Sequence, residues 1–169
     1  MVSSTVNPWA IFRFALGYPD ERHLERFRGL CETVPGTLDE LRSLYIELFE
    51  AGLPQPRCPL LESAWLLNRP AGEVVLENKL YYQAFGLDID GRAAPDHLLT
   101  QLEFLAWLDH CDAAGNQDQP SVRRARSEFL ERHLSHWVAS LAHLAGNSSA
   151  GCYAELLEAL ARQVESALI

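Results

Sequence analysis

Between Val75 and Leu108 two helical patterns face each other across one short break, which limits the chain to folds made of packed helices. The first sets Val75, Leu76, Lys79, Leu80, Tyr82, Ala84 and Phe85 at the three- and four-residue spacing of a helix face. Gly86 ends it, because glycine enters left-handed backbone without a Cβ clash. The second opens at Pro95-Asp96 and spaces Leu98, Leu99, Leu102, Phe104, Leu105 and Leu108 helically. The loop between, near 86–95, is rich in Asp and Gly and leads directly into Asp96-His97. An acid beside an imidazole at a helix entrance has two readings. Asp96 caps the second helix, with His97 bonded to the loop or to an acid on the preceding helix, or the two form a general base with its orienting acid.

The rest of the chain repeats the helical theme. Asn7-Pro8 reads as an N-cap followed by Pro at the first helical position, ahead of Trp9, Ile11, Phe12 and Leu16. Asp20 can cap a short second helix, and Thr37-Leu38-Asp39-Glu40 has the spacing of a capping box. Three prolines, Pro54, Pro56 and Pro59, predict an extended connector after Gly52, and a short apolar run, Leu60 to Leu67, follows. Beyond a polar loop, Ser121 opens one long amphipathic helix with Val122, Ala125, Phe129, Leu130, Leu134, Trp137, Val138 and Leu141 inward. A last helix starts near Cys152. No stretch alternates with period two, so the expected fold is all-α: a single compact bundle over 1–169 with about seven to nine helices.

Charge and cysteine usage exclude several classes. A net charge of −9 argues against nucleic acid, whose phosphates need a basic surface. Residues 71–112 hold eight acids (Glu73, Glu77, Asp88, Asp90, Asp96, Glu103, Asp109, Asp112) against Lys79 and Arg92, a field suited to a cationic segment or simply to solubility. No apolar run reaches the roughly 20 residues of a membrane span. The first residues lack the pattern of a secretory signal, so a cytoplasmic location is expected. Cys31, Cys58, Cys111 and Cys152 are scattered without a C-x-x-C pair, which argues against a zinc or redox motif. The motifs of nucleophile elbows, phosphate loops, dinucleotide folds and helical zinc sites are missing, and His133 and His136 lack a third ligand nearby in sequence. An acid–base hydrolase using Asp96 and His97 would have no nucleophile, and a helical adaptor remains the plain alternative.

At Y-I-E-L-F (45–49), E-S-A-W (62–65), Y-Y-Q-A-F-G-L (81–87), P-D-H-L-L-T-Q-L-E-F-L-A-W-L (95–108) and F-L-E-R-H-L-S-H-W (129–137) the sequence resembles the TorD/NarJ/DmsD family of redox-enzyme maturation chaperones. The run E-A-G-L-P-Q-P-R-C-P-L-L-E-S is most similar to the subgroup serving type II DMSO-reductase-family enzymes. The resemblance implies a non-enzymatic cytoplasmic chaperone. It would bind the apo catalytic subunit of a molybdenum oxidoreductase and its twin-arginine leader until the bis-MGD cofactor enters the client. The chaperone itself would hold no permanent cofactor. Carried over by position, the client-binding residues are Trp65, Glu77, Tyr82, Phe85, Asp96, His97 and Glu103, with Gly86 and Pro95 at a hinge. The hinge also suits a homodimer formed by domain swapping. Tyr81 beside Tyr82 leaves open which ring faces a groove, and Gln101 stands where many relatives have an acid.

Overall fold

Short-range chemistry starts the first three helices. In the computed structural model, which describes residues 7–89, 91, 93–115, 118–148 and 150–169, Asn7 caps α1 (Pro8–Ala15) by accepting from the Trp9 and Ala10 amides. Its amide nitrogen reaches across to the Ala106 carbonyl at 3.2 Å. Asp20 opens α2 (Glu21–Phe27) in a capping box closed by the imidazole of His23, and Thr37 and Glu40 close the box of α3 (Leu38–Tyr45). A π turn, Ile46–Glu50, extends α3, and a 3₁₀ turn, Glu62–Ala64, stands alone in the segment before α4 (Ala71–Ala84). Next come α5 (Leu98–Ala114), α6 (Gln119–Arg132), a 3₁₀ turn at Leu134–His136, α7 (Val138–Gly146) and α8 (Cys152–Ser166). Among the described residues there are eight α-helices and no strand, and the fold is all-α. Positive φ at Gly86 (72°) and Gly115 (64°) ends α4 and α5, a conformation that a Cβ would strain.

The buried residues form one continuous core. Helix α5 lies at its middle, packing on α1 and on α6, and buries Leu98, Gln101, Leu102, Phe104, Leu105, Leu108 and Cys111. Helices α7 and α8, joined by a short link, pack along each other. Trp9, Phe27, Leu41, Phe129, Trp137 and Leu157, all fully buried, belong to the same core. Phe129 sits at an aromatic crossroads, its ring centre 4.9 Å from Phe104, 5.2 Å from Tyr81 and 4.7 Å from His133. The four cysteines are free thiols, three of them buried.

Two sequence expectations are corrected. The long helix from Ser121 is divided into α6 and α7 by the turn at Leu134–His136, although all eight residues expected inward are buried. The division falls at His133, whose backbone (φ −112°, ψ −73°) departs from ideal α-helical values and whose ring is buried in the interior. Helix α4 buries Val74, Asn78 and Tyr82, while Leu76 and Leu80 stay more than half exposed. Asp90 and Arg92 of the hinge loop, and Asn116, Gln117 and Ser149 of two other breaks, lie outside the described residues, as do residues 1–6.

Replacing Phe129 with Ala removes the ring on which Tyr81, Phe104 and His133 converge. The expected loss is about 3–5 kcal/mol of unfolding free energy, read as a lower urea midpoint at unchanged slope.

Candidate functional site

The entrance to α5 is held by a segment more than thirty residues earlier. Pro59 and Pro70 bracket the apolar run at 60–67, which is extended at Leu61, turns through the 3₁₀ segment Glu62–Ala64 and leaves it with helical backbone at Trp65. Leu61 forms an antiparallel bridge with His97. The Leu98 amide donates to the Leu60 carbonyl at 2.8 Å, and the Glu62 amide donates to the Asp96 carbonyl at 3.0 Å. The Asp96 carboxylate, 2 % exposed, accepts from the Ser63 amide at 3.1 Å. Asp96 therefore straps this segment down and does not cap α5. The N-cap is His97, whose Nδ1 accepts from the Leu99 amide at 3.2 Å. No hydrogen bond joins Asp96 to His97, because each side chain is committed to a different stretch of backbone.

Beneath this strap lies a network with no exposed member. Glu62, Asn78, Gln101 and His133 are each fully buried. The Glu62 carboxylate accepts from Gln101 Nε2 at 2.6 Å, Asn78 Nδ2 at 2.8 Å and His133 Nδ1 at 3.0 Å. Gln101 Nε2 also donates to Asn78 Oδ1 at 3.0 Å. An acid at position 101 would set a second carboxylate against Glu62, so the amide suits this network. The Tyr82 hydroxyl joins it to the hinge, donating to the Pro95 carbonyl at 2.7 Å and approaching Asn78 Oδ1 at 3.3 Å. Burial pushes the Tyr82 phenol up, helped by the nearby Glu62 and Asp96 charges, so it stays a neutral donor.

Above the network a groove of about 320 Å³ opens between the end of α4, the following loop and α5. Tyr82, Phe104 and Trp107 give it an aromatic side, Leu87, Ile89 and Ala93 an aliphatic side, and Asp88, Thr100 and Glu103 its polar groups. Tyr82, not Tyr81, lines it; Tyr81 turns to Phe129 and His133. Glu103 is exposed and pairs with Arg13 of α1 at 3.0 Å. Phe85 packs behind the lining, against Phe104 and Trp107. Pro95, Asp96 and His97 lie at the α5 entrance, tied to Tyr82 through the Pro95 carbonyl.

Trp65 and Glu77 are not among the lining residues. Trp65 stacks on Trp137 with ring centres 6.3 Å apart and donates its indole N–H to the Pro59 carbonyl. Glu77 pairs with Arg69 at 2.7 Å and Arg132 at 3.5 Å. Burial works to raise its carboxyl, but the Arg69 hydrogen bond and the surrounding positive charge hold it below the usual carboxylate range. Sequence reasoning passed over Glu62 and Asn78, and over Leu87, Ile89 and Ala93 as groove lining. The available signals were an acid inside an apolar run, an amide four residues from both Val74 and Tyr82, and apolar residues in a polar loop. Among the described residues no cluster of His, Cys, Asp or Glu could hold a metal ion, and no helix is long and apolar enough to cross a membrane. The arrangement suits recognition: an aromatic floor with carboxylates at its edge.

Residues 19–143 match the family described as nitrate reductase delta subunit. The selenate reductase assembly chaperone protein of Thauera selenatis is 35% identical over 160 residues, covering 88% of this chain and 80% of that protein. The chlorate reductase assembly chaperone protein of Ideonella dechloratans is 33% identical over 128 residues, covering 72% of this chain and 66% of that one. A solved structure from Archaeoglobus fulgidus, described as a redox enzyme maturation protein, shares the fold with a TM-score of 0.61 at 22% identity and covers 93% of both chains.

Two measurements probe the strap and the network. Glu62→Ala leaves three buried side chains facing a void, and the expected loss is roughly 3–5 kcal/mol by chemical denaturation. Burial depresses the His97 pKa below the usual 6.5, against the opposing pull of Asp96. The unfolded chain therefore takes up the proton first on acidification. Stability from neutral His97 is complete above about pH 6.5 and is lost as pH falls through the lower folded value. Asn can cap in place of His97 without titrating, so His97→Asn should flatten the melting temperature against pH in that acidic window.

Proposed function

This chain belongs to the nitrate reductase delta subunit family, and we propose that it is an assembly chaperone for the apo catalytic subunit of a type II DMSO-reductase-family molybdenum enzyme. In this reading it works in the cytoplasm, catalyses nothing and keeps no cofactor. It holds the client and its twin-arginine leader while the bis-MGD cofactor is inserted, and then lets the client go for export. The observation that carries the reading is the groove itself, where an aromatic floor of Tyr82, Phe104 and Trp107 adjoins the carboxylates of Asp88 and Glu103. A twin-arginine leader offers the complement, two guanidiniums followed by an apolar stretch. Guanidiniums pair with carboxylates in a fork geometry, and apolar segments dock in aromatic-lined grooves between helices. Pro95, Asp96 and His97 serve as the frame that sets the groove wall, with Gly86 and Pro95 at the ends of the hinge. Trp65 and Glu77 would meet the client on a neighbouring surface. A homodimer formed by exchange across the hinge fits the same reading.

The hydrolase alternative loses ground on one point: the Asp96 carboxylate and the His97 Nδ1 are each occupied by a backbone amide. Neither is poised to take a proton from a substrate.

A twin-arginine leader peptide titrated against the wild type, Glu103→Gln and Trp107→Ala tests the groove. Both variants should bind several-fold more weakly at low salt, Glu103→Gln with little change in melting temperature and Trp107→Ala with a lower one because its ring packs on Phe85 and Phe104, and the Glu103→Gln deficit should shrink as salt rises. Equal affinity across the three proteins would remove the groove from the reading. A deletion strain should still make the client subunit, but without molybdenum and without activity.

A further inference from the structure

A second concavity, of about 800 Å³, runs between α7 and α8 and shares no residue with the Tyr82–Trp107 groove. Its floor is apolar: Val138, Ala142 and Val164 are buried there, Ala161 is half-buried, and Leu168 is exposed at one end. Its rim is acidic. Glu155, Glu158 and Glu165 stand against Arg162, which already pairs with Glu158 at 3.3 Å, and the exposed imidazole of His143. The Glu155 carboxylate accepts from the Glu32 and Thr33 amides, and Glu165 has no ion-pair partner among the described residues. The last turn of α8 carries no base, so the negative end of the helix dipole adds to the field at Glu165.

We propose that this groove docks a cationic amphipathic helix of a partner protein, with small apolar residues along one stripe and Lys or Arg on its flanks. Its chemistry follows from the walls. Both are helices whose backbone groups bond within themselves, so an extended segment would find no backbone partners along the floor, whereas a helix satisfies its own. Alanines at 139, 142, 154 and 161 keep the trench open to a helix ridge. The rim selects positive flanks by charge complementarity. A second copy of this chain is a poor occupant, because it carries a net charge of −9. The proposal is independent of the leader groove.

The probe is a synthetic helical peptide with an Ala/Leu stripe and Lys flanks, paired with a version carrying Glu in place of Lys. Each is titrated by fluorescence anisotropy against the full chain, Glu165→Lys and Ala139→Trp, with a twin-arginine leader peptide and melting curves as controls. Ala139 is exposed, so a tryptophan there fills the trench without entering the core. The wild type should bind the Lys peptide and prefer it over the Glu peptide, and each variant should weaken that binding by about fivefold or more, the scale of one or two surface charge pairs. Leader binding and melting temperature should not move. Equal affinity for the two peptides, or an unchanged Lys-peptide affinity in both variants, would overturn the proposal. So would sedimentation showing a wild-type dimer that Ala139→Trp disperses, which would give the groove to a second copy.

Discussion

A carboxylate taken out of water must be given donors, and Glu62 draws them from three different helical segments. Asn78 comes from the middle of α4, Gln101 from the first turns of α5, and His133 from the residue where α6 stops. This meeting accounts for features that no single element explains. The short run at 60–67 crosses the α5 entrance with its one acid facing inward. Helix α6 stops at Arg132 because His133 must turn its ring toward that acid. Helix α4 turns Asn78 inward and leaves Leu76 and Leu80 in water. Magnitudes support that orientation. Leaving two leucines about half exposed forgoes roughly 1.5–3 kcal/mol in total, whereas stranding Glu62 and its buried donors would cost about 1–3 kcal/mol for each group.

The same comparison separates what the sequence discloses from what it conceals. Signals written within four residues were legible: the Asn7-Pro8 start, the Asp20 and Thr37 caps, the glycine stop at Gly86, and the apolar face of α5. The break between α6 and α7 was not, since Leu134, Trp137, Val138 and Leu141 keep helical spacing straight through it. The inward side of α4 was hidden for a related reason. The helix is apolar on more than one side, and the choice of face belongs to partners dozens of residues away. At the site, Tyr82 and Glu103 came from the family resemblance, carried over by position, and both line the groove. Leu87, Ile89 and Ala93 could not be reached by spacing, because loop residues have no period and take their position from tertiary packing. Trp65 went elsewhere because its indole N–H found the Pro59 carbonyl and its ring found Trp137.

The acidic bias of residues 71–112 is largely answered within the fold. Glu77 is met by Arg69 and Arg132, Asp109 by Arg126, Asp112 by Arg123 and Glu103 by Arg13, while Asp96 is consumed by the strap. Glu73, Asp88 and Asp96 have no ion-pair partner among the described residues. The local field that an approaching cation meets is therefore weaker than a count of acids suggests. It is also more focused, because Asp88 lies on the groove itself.

In the proposed reading, that arrangement would turn guanidinium binding at Glu103 into an exchange. Arg13 and Glu103 are both about half exposed or more, and a pair of that kind contributes only about 0–1 kcal/mol. An incoming guanidinium can displace Arg13 at little cost, and it gains little by doing so unless something else improves. The aromatic side of the groove supplies the difference. A guanidinium whose attached chain covers Phe104 and Trp107 drives water from the carboxylate and strengthens the charge-assisted bond. A cation without an apolar neighbour stays wet and merely trades places with Arg13. An apolar segment without a cation finds the groove edge still occupied by the native pair. On the proposed reading, selectivity for segments carrying both features would follow from having filled the acid beforehand with an intramolecular arginine that is weakly held.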